Sequence, residues 1–266
     1  MSAVRPPAVA GMFYPANAHE LAREVQGLLA SAMPTSLASI KALIVPHAGY
    51  IYSGAIAATA YTALSSIASR IRRVVLLGPT HRVAVRGLAL PGGDAFDTPL
   101  GRIKLDQAAA HSISHLPQVS VRPDVHAQEH SLEVQLPFLQ SVLPDFTLLP
   151  LAVGMASSEE VAEVLEAVWG SDETLIVISS DLSHYLPYPT AQRVDNETMQ
   201  TILNLQQPIP HDRACGGTPI SGLILAAKHH HLTPQLLDFC NSGDTAGTHD
   251  QVVGYAAFAF TEREQP

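Results

Sequence analysis

The chain has 266 residues, 47% hydrophobic and 15% charged, a balance that suits a packed core and excludes disorder, whose signature is low hydrophobicity with high charge. Its net charge of −9, from 15 basic and 24 acidic residues with no basic run longer than Arg72-Arg73, excludes the clustered cations of a nucleic-acid surface. No apolar run approaches the roughly 18 residues that span a bilayer, and "MSAVRPPAVAGMFYPAN" lacks the apolar centre of a signal peptide, so a soluble, cytoplasmic protein without a membrane partner is expected.

In chain order, Asn17 to Glu20 reads as a capped helix start, continued by Leu21, Val25, Leu28 and Leu29 at helical spacing and stopped by Pro34. A strand is predicted over residues 41–46, a small-residue helix from Gly54, and a second strand over 72–78, which together make a βαβ unit. Residues 88–105, rich in Gly, Pro and Asp, predict short strands or a hairpin. A helix over 129–143, a strand at "FTLLPLAVG", a helix at "SSEEVAEVLEAVWG" and a strand at "TLIVISSD" resume the alternation. Helices over 190–205 and from Pro219 to about His230 follow, before two last strands at "QLLDFCN" and "VVGYAAFAF". The alternation predicts one three-layer α/β/α domain over 1–266, with a mixed, largely parallel central sheet that binds ligands beyond the carboxyl ends of its strands.

Three predicted strands run through polar or turn-forming residues to a histidine: "LIVPHAGY" to His47, "LLGPTHR" to His81 and "VISSDLSHY" to His184. One such imidazole is ordinarily an exposed or carbonyl-bonded loop residue, but three sharing a strand-end position point to a common site for a metal that imidazole binds well. Asp181, three residues before His184, could orient an imidazole, carry a proton or cap a turn. Cys215, in "RACGGTPISGLIL", stands where a helix amino terminus favours thiolate. It reads as a metal ligand, a nucleophile or a small packed residue. Gly216 permits close backbone approach there. Cys240, inside "LLDFC", reads as core, and two cysteines in such a chain make a poor case for a disulfide. By local physics Glu129 and His130 are structural at a helix start, and His229-His230-His231 is an exposed helix end.

The segments "AGMFYP", "PHAGY", "GPTH", "EHSLEVQLPF", "SSDLSHY" and "CGGTPI", in that order, closely resemble the Memo family along nearly the whole chain. That resemblance implies the fold of the class III extradiol ring-cleavage dioxygenases, in which two histidines and a glutamate bind ferrous iron and a further histidine is the acid or base. Carried over, His47 and His81 match the ligand histidines, and His184 the acid/base histidine. Cys215 stands where Memo-type proteins replace the carboxylate by cysteine, and Asp181, Glu129 and His130 fall in the surrounding catalytic shell. The implied cofactor is iron or copper, with zinc also accepted by such donors. The implied function is a dioxygenase-like, metal-dependent oxidoreductase, or a binding protein that uses the same cleft for a peptide, a phosphorylated ligand or copper(I). Family association also implies a radical S-adenosylmethionine protein as partner.

Overall fold

The structure is a computed structural model that describes residues 3–33, 37 and 39–262. Its first half contains β1 (Val4–Arg5), α1 (Ala18–Ser31), β2 (Ile40–Val45), α2 (Tyr50–Thr62), β3 (Arg73–Pro79), β4 (Leu88–Leu90), β5 (Ala95–Thr98), β6 (Gly101–Lys104), α3 (Gln107–Ile113), β7 (Val119–Val121) and α4 (Pro123–Ala127). There follow α5 (Leu136–Val142), β8 (Thr147–Val153), α6 (Ser158–Ala167), β9 (Thr174–Ser179), β10 (His184–Leu186), α7 (Tyr188–Leu203), α8 (Gly217–His229), β11 (Thr233–Asn241) and β12 (Val252–Thr261).

The large sheet runs β10-β12-β2-β9-β3-β8-β4-β7, with β11 also paired to β12. Strands β2, β9, β3 and β8 form a parallel centre, while β12 and β4 join it antiparallel. The centre strands are apolar on both sides because both sides are covered. Leu43, Val45, Val74, Leu76, Leu175 and Val177 face one core with α1, α2 and α5. Their neighbours Ala42, Ile44, Val75, Leu77, Ile176 and Ile178 face a second core with α3, α6, α7 and α8. The architecture is the expected three-layer α/β fold with a mixed, mostly parallel sheet.

Most predicted elements stand where they were placed. Asn17 caps α1 by accepting from the backbone N–H groups of His19 and Glu20; Pro34 lies outside the described residues. The capping box of Ser157 and Glu160 opens α6. Two helices start more than two residues from where they were predicted. The helix α2 begins four residues before Gly54, because the Tyr50 N–H donates to Phe13 O at 2.8 Å and holds the first turn. The helix predicted over 129–143 begins only at Leu136, after a 3₁₀ turn at Glu133–Gln135. Pro137 decides this, since it fits a first helical turn and would break a helix running through from residue 129. Residues 106–127 carry α3, β7 and α4, which no sequence pattern had indicated.

Buried His126, on α4, donates from Nε2 to Ala89 O at 2.8 Å. Burial lowers its pKa from 6.5 to about 4. The unfolded chain therefore takes up this proton first, so the stability the neutral ring contributes is present above pH 6.5 and lost as pH falls from 6.5 to about 4. Wild type should lose about 2–3 kcal/mol more than His126→Gln between pH 7.5 and 4.5, as read by urea unfolding. Parallel stability profiles for the two proteins would show that His126 does not carry this dependence.

Candidate metal centre

The sheet order brings the site together. Because β2, β9 and β3 are adjacent and parallel, their carboxyl ends lie on one edge. His47, Asp181 and His81 each follow two residues after the end of one of these strands. Asp181 thus stands between the two histidine strands, and its Oδ1 accepts the backbone N–H of His47 at 2.7 Å.

The rings of His47 and His81 are 5.3 Å apart, centroid to centroid. The third imidazole at this point is His130, 4.5 Å from His81 and 5.4 Å from His47. His47, His81 and His130 offer ligand atoms that all lie within 4.8 Å of one another. Local physics alone read His130 as structural at a helix start, whereas the resemblance put it in the catalytic shell; the structure sets its ring beside the other two. Its residue sits in a loop rather than on a helix, so its ring can turn inward, where it packs 4.7 Å from Phe13. His184 opens β10 on the wall of the same cleft.

Two of the three imidazoles, His47 and His81, are oriented from behind. The Ser179 hydroxyl donates to Ser131 O at 2.6 Å and accepts from Gln135 Nε2 at 2.7 Å. Its proton is thereby committed, so at 2.9 Å it acts as acceptor for His47 Nδ1–H and leaves Nε2 free. Gln135 is held in turn by Tyr61 Oη donating to its Oε1 at 2.8 Å. His81 Nδ1 donates to Glu129 Oε1 at 2.9 Å, and Glu129 also accepts the backbone N–H groups of His81 and Ser131. Burial raises the Glu129 pKa, but these bonds and the His81 ring outweigh it and bring it to about 2. Glu129 is thus a buried, ionised carboxylate that positions His81, an arrangement common behind metal-bound histidines. Ser179, Gln135 and Tyr61 were not legible as site residues. The available signal was a glutamate and a glutamine interrupting the apolar run "LEVQLPFL", each of which must find a buried partner.

Cys215 approaches from the other side, with Sγ 3.4 Å from His47 Nε2 and 3.7 Å from Asp181 O. It lies outside the triangle of the three imidazoles. Gly216 makes this approach possible, since a Cβ there would stand 2.6 Å from Ser180 Cβ. The helix dipole expected to favour thiolate does not prevail. Burial, with the charge of Asp181 adding to it, pushes the thiol up to about 12, so at neutral pH without a cation the sulfur keeps its proton. Burial also raises Asp181 to about 7 against the backbone N–H bonds from His47 and Ala48 that lower it. It holds His47 well below 6.5, brings His130 to about 4, and lowers His184. His184 Nδ1 donates to Leu182 O at 2.9 Å, so its Nε2 is the acceptor nitrogen.

The cleft is a cavity of about 680 Å³. The three imidazoles, Asp181 and His184 line it together with Phe13, Tyr52, Tyr185 and Tyr255. His81 also borders a second cavity of about 550 Å³, lined by Arg82, His211 and Cys215. Cys240 lies on β11, away from both, as predicted. No described helix is long and apolar enough to cross a membrane.

The profile of the Memo-like protein family matches residues 5–259. A MEMO1 family protein of Aquifex aeolicus is 37% identical over 97% of this chain and 99% of its own length. One of Methanosarcina barkeri is 36% identical over 96% and 98%. Among solved structures, that of uncharacterized protein JW3007 from Escherichia coli K12 matches with a TM-score of 0.51 at 14% identity, covering 82% of this chain and 99% of that one. That likeness concerns the fold alone. The chain belongs to the Memo family.

Proposed function

We propose that the cleft is the centre of a metal-dependent oxidoreductase using iron or copper, with His47 and His81 as two of its ligands. The observation that carries this reading is the convergence of His47, His81 and His130 on one point. Burial keeps His47 and His130 neutral near pH 7, the form that binds a cation. The donor set fits such an ion. His130 completes the triangle, and Cys215 flanks it as a softer donor. Two atoms sharing one tetrahedral cation, with bonds of about 2.05 and 2.3 Å, lie about 3.5 Å apart, close to the 3.4 Å between His47 Nε2 and Cys215 Sγ. A cation there would also displace the thiol proton.

The metal, when bound, supplies Lewis acidity and one-electron chemistry. The chain's own residues then have separate tasks. Glu129 and Ser179 orient the imidazoles, and the aromatic wall of Phe13, Tyr52, Tyr185 and Tyr255 receives a small molecule or a peptide side chain. His184 Nε2 takes a proton from the ligand, and the Asp181 carboxyl, near its midpoint at neutral pH, can hold or release one at the cleft floor.

Elemental analysis of protein purified without air is expected to find close to one equivalent of iron or copper, and oxygen uptake should depend on it. If stripping the metal leaves ligand binding and stability intact and no substrate consumes oxygen, the cleft belongs to a binding protein instead.

A further inference from the structure

A second convergence of metal-binding side chains lies far from the cleft. Glu166, near the end of α6, accepts from His229 Nδ1 at 2.9 Å and from His230 Nε2 at 2.8 Å, one imidazole on each carboxylate oxygen. Adjacent residues of a helix project about 100° apart, so two neighbouring histidines on one carboxylate require the helix to end between them. It does: His229 is the last residue of α8, His230 is its cap, and His231 turns left-handed at φ 55°. The run is at the exposed helix end that was expected, but its first two histidines meet on one carboxylate. His229 is exposed, whereas His230 is half-buried and stacked on Trp169 at 3.8 Å with 7° between the planes.

We propose that Glu166, His229 and His230 form a second metal site, for a divalent transition-metal ion such as copper(II) or zinc. Among the described residues, only this group and the cleft triad bring three metal-binding side chains together with ligand atoms within 4.8 Å. Two imidazoles and a carboxylate are the borderline donor set that copper(II) and zinc accept, with the open face of the site left to water. The ligands are held in advance: Trp169 fixes the plane of His230, and the packing of α6 against α8 fixes Glu166 opposite both rings. Metal entry replaces two N–H donations to the carboxylate. A neutral imidazole moves that proton to its other ring nitrogen and presents a lone pair to the ion.

The site is independent of the cleft. Trp169 lies under Lys41 Nζ, 5.3 Å from the ring centroid, at the amino end of β2, whereas His47 follows its carboxyl end. Six residues of strand at about 3.3 Å each separate the two by roughly 20 Å.

Trp169 is the single tryptophan of the chain, which makes the test local. Titrating the intact protein with copper(II) chloride at fixed pH should quench Trp169 fluorescence to a plateau. In His229→Gln and in Glu166→Gln the midpoint should move to at least tenfold higher copper. His229 is exposed, so its replacement leaves the fold and the Trp169 stack in place. Absence of quenching in the wild type, or an unchanged midpoint in either variant, would overturn the proposal.

Discussion

The His81→Ala protein is expected to fold and to carry no metal in the cleft, where wild type is expected to carry close to one equivalent. His81 is the most open of the three convergent histidines, with 27% of its side chain exposed, so its truncation removes little packing. Glu129 keeps the backbone N–H groups of residues 81 and 131, and is not left without partners. What disappears is one donor of a set too small to lose one. Glu129→Gln is the milder companion, because an amide no longer anchors Nδ1–H as a carboxylate does. Loss of such an orienting partner typically weakens metal affinity about 10- to 100-fold. Elemental analysis after anaerobic purification, followed by chelator competition, separates the two outcomes. Full occupancy in His81→Ala would remove His81 from the ligand set.

Glu133→Ala should be the most destabilising single substitution outside the apolar core, costing about 3–5 kcal/mol. The Glu133 side chain is fully buried and pairs with Arg5 Nη1 at 2.7 Å. It also accepts the backbone N–H groups of Ala8 and Val9 and the Tyr14 hydroxyl. Alanine strands these donors and leaves the Arg5 guanidinium, itself only 8% exposed, without its counter-charge. Arg5 also donates to the carbonyls of His126 and Glu129, so the same cluster fixes the loop that presents Glu129 and His130 to the cleft. Thermal unfolding should fall by roughly 10 °C, given about 2–4 °C per kcal/mol for a chain near this size. Metal affinity should weaken with it. A loss below about 1 kcal/mol would mean that water replaces the missing carboxylate, against the cost expected for an orphaned buried charge.

Glu133 also illustrates why part of the site was illegible. An apolar run leading to histidine is a local pattern, and it located His47 and His81 just past strand ends; His184, expected there too, instead opens β10, because β9 already stops at Ser179. Burial of a carboxylate is not local, because the partners of Glu133 lie some 120 residues away at Arg5, Ala8, Val9 and Tyr14. The inward turn of His130 was not legible from local pattern for a related reason. Helical periodicity from residue 129 would have turned it outward, but Pro137 delays the helix and frees the loop to fold inward. Gly216 was legible because its requirement is steric and immediate: the backbone of that turn crosses Ser180 too closely for a side chain.

By itself the sequence determined most of the strands and helices, though not α3, β7 and α4 or the late start of α5. The apolar period and the caps at Asn17 and Ser157 act over a few residues, and six motifs in order carry the family. It also placed His47 and His81 at strand ends. Only the tertiary structure decided that β9 inserts between β2 and β3, setting Asp181 between the two histidines, that His130 rather than His184 closes the imidazole triangle, and that Glu166 meets His229 and His230. The physical reason is that periodicity and capping are set by neighbours along the chain, whereas strand order, burial and the pairing of buried polar groups are set by which distant segments pack together to bury the most apolar surface without orphaning a donor.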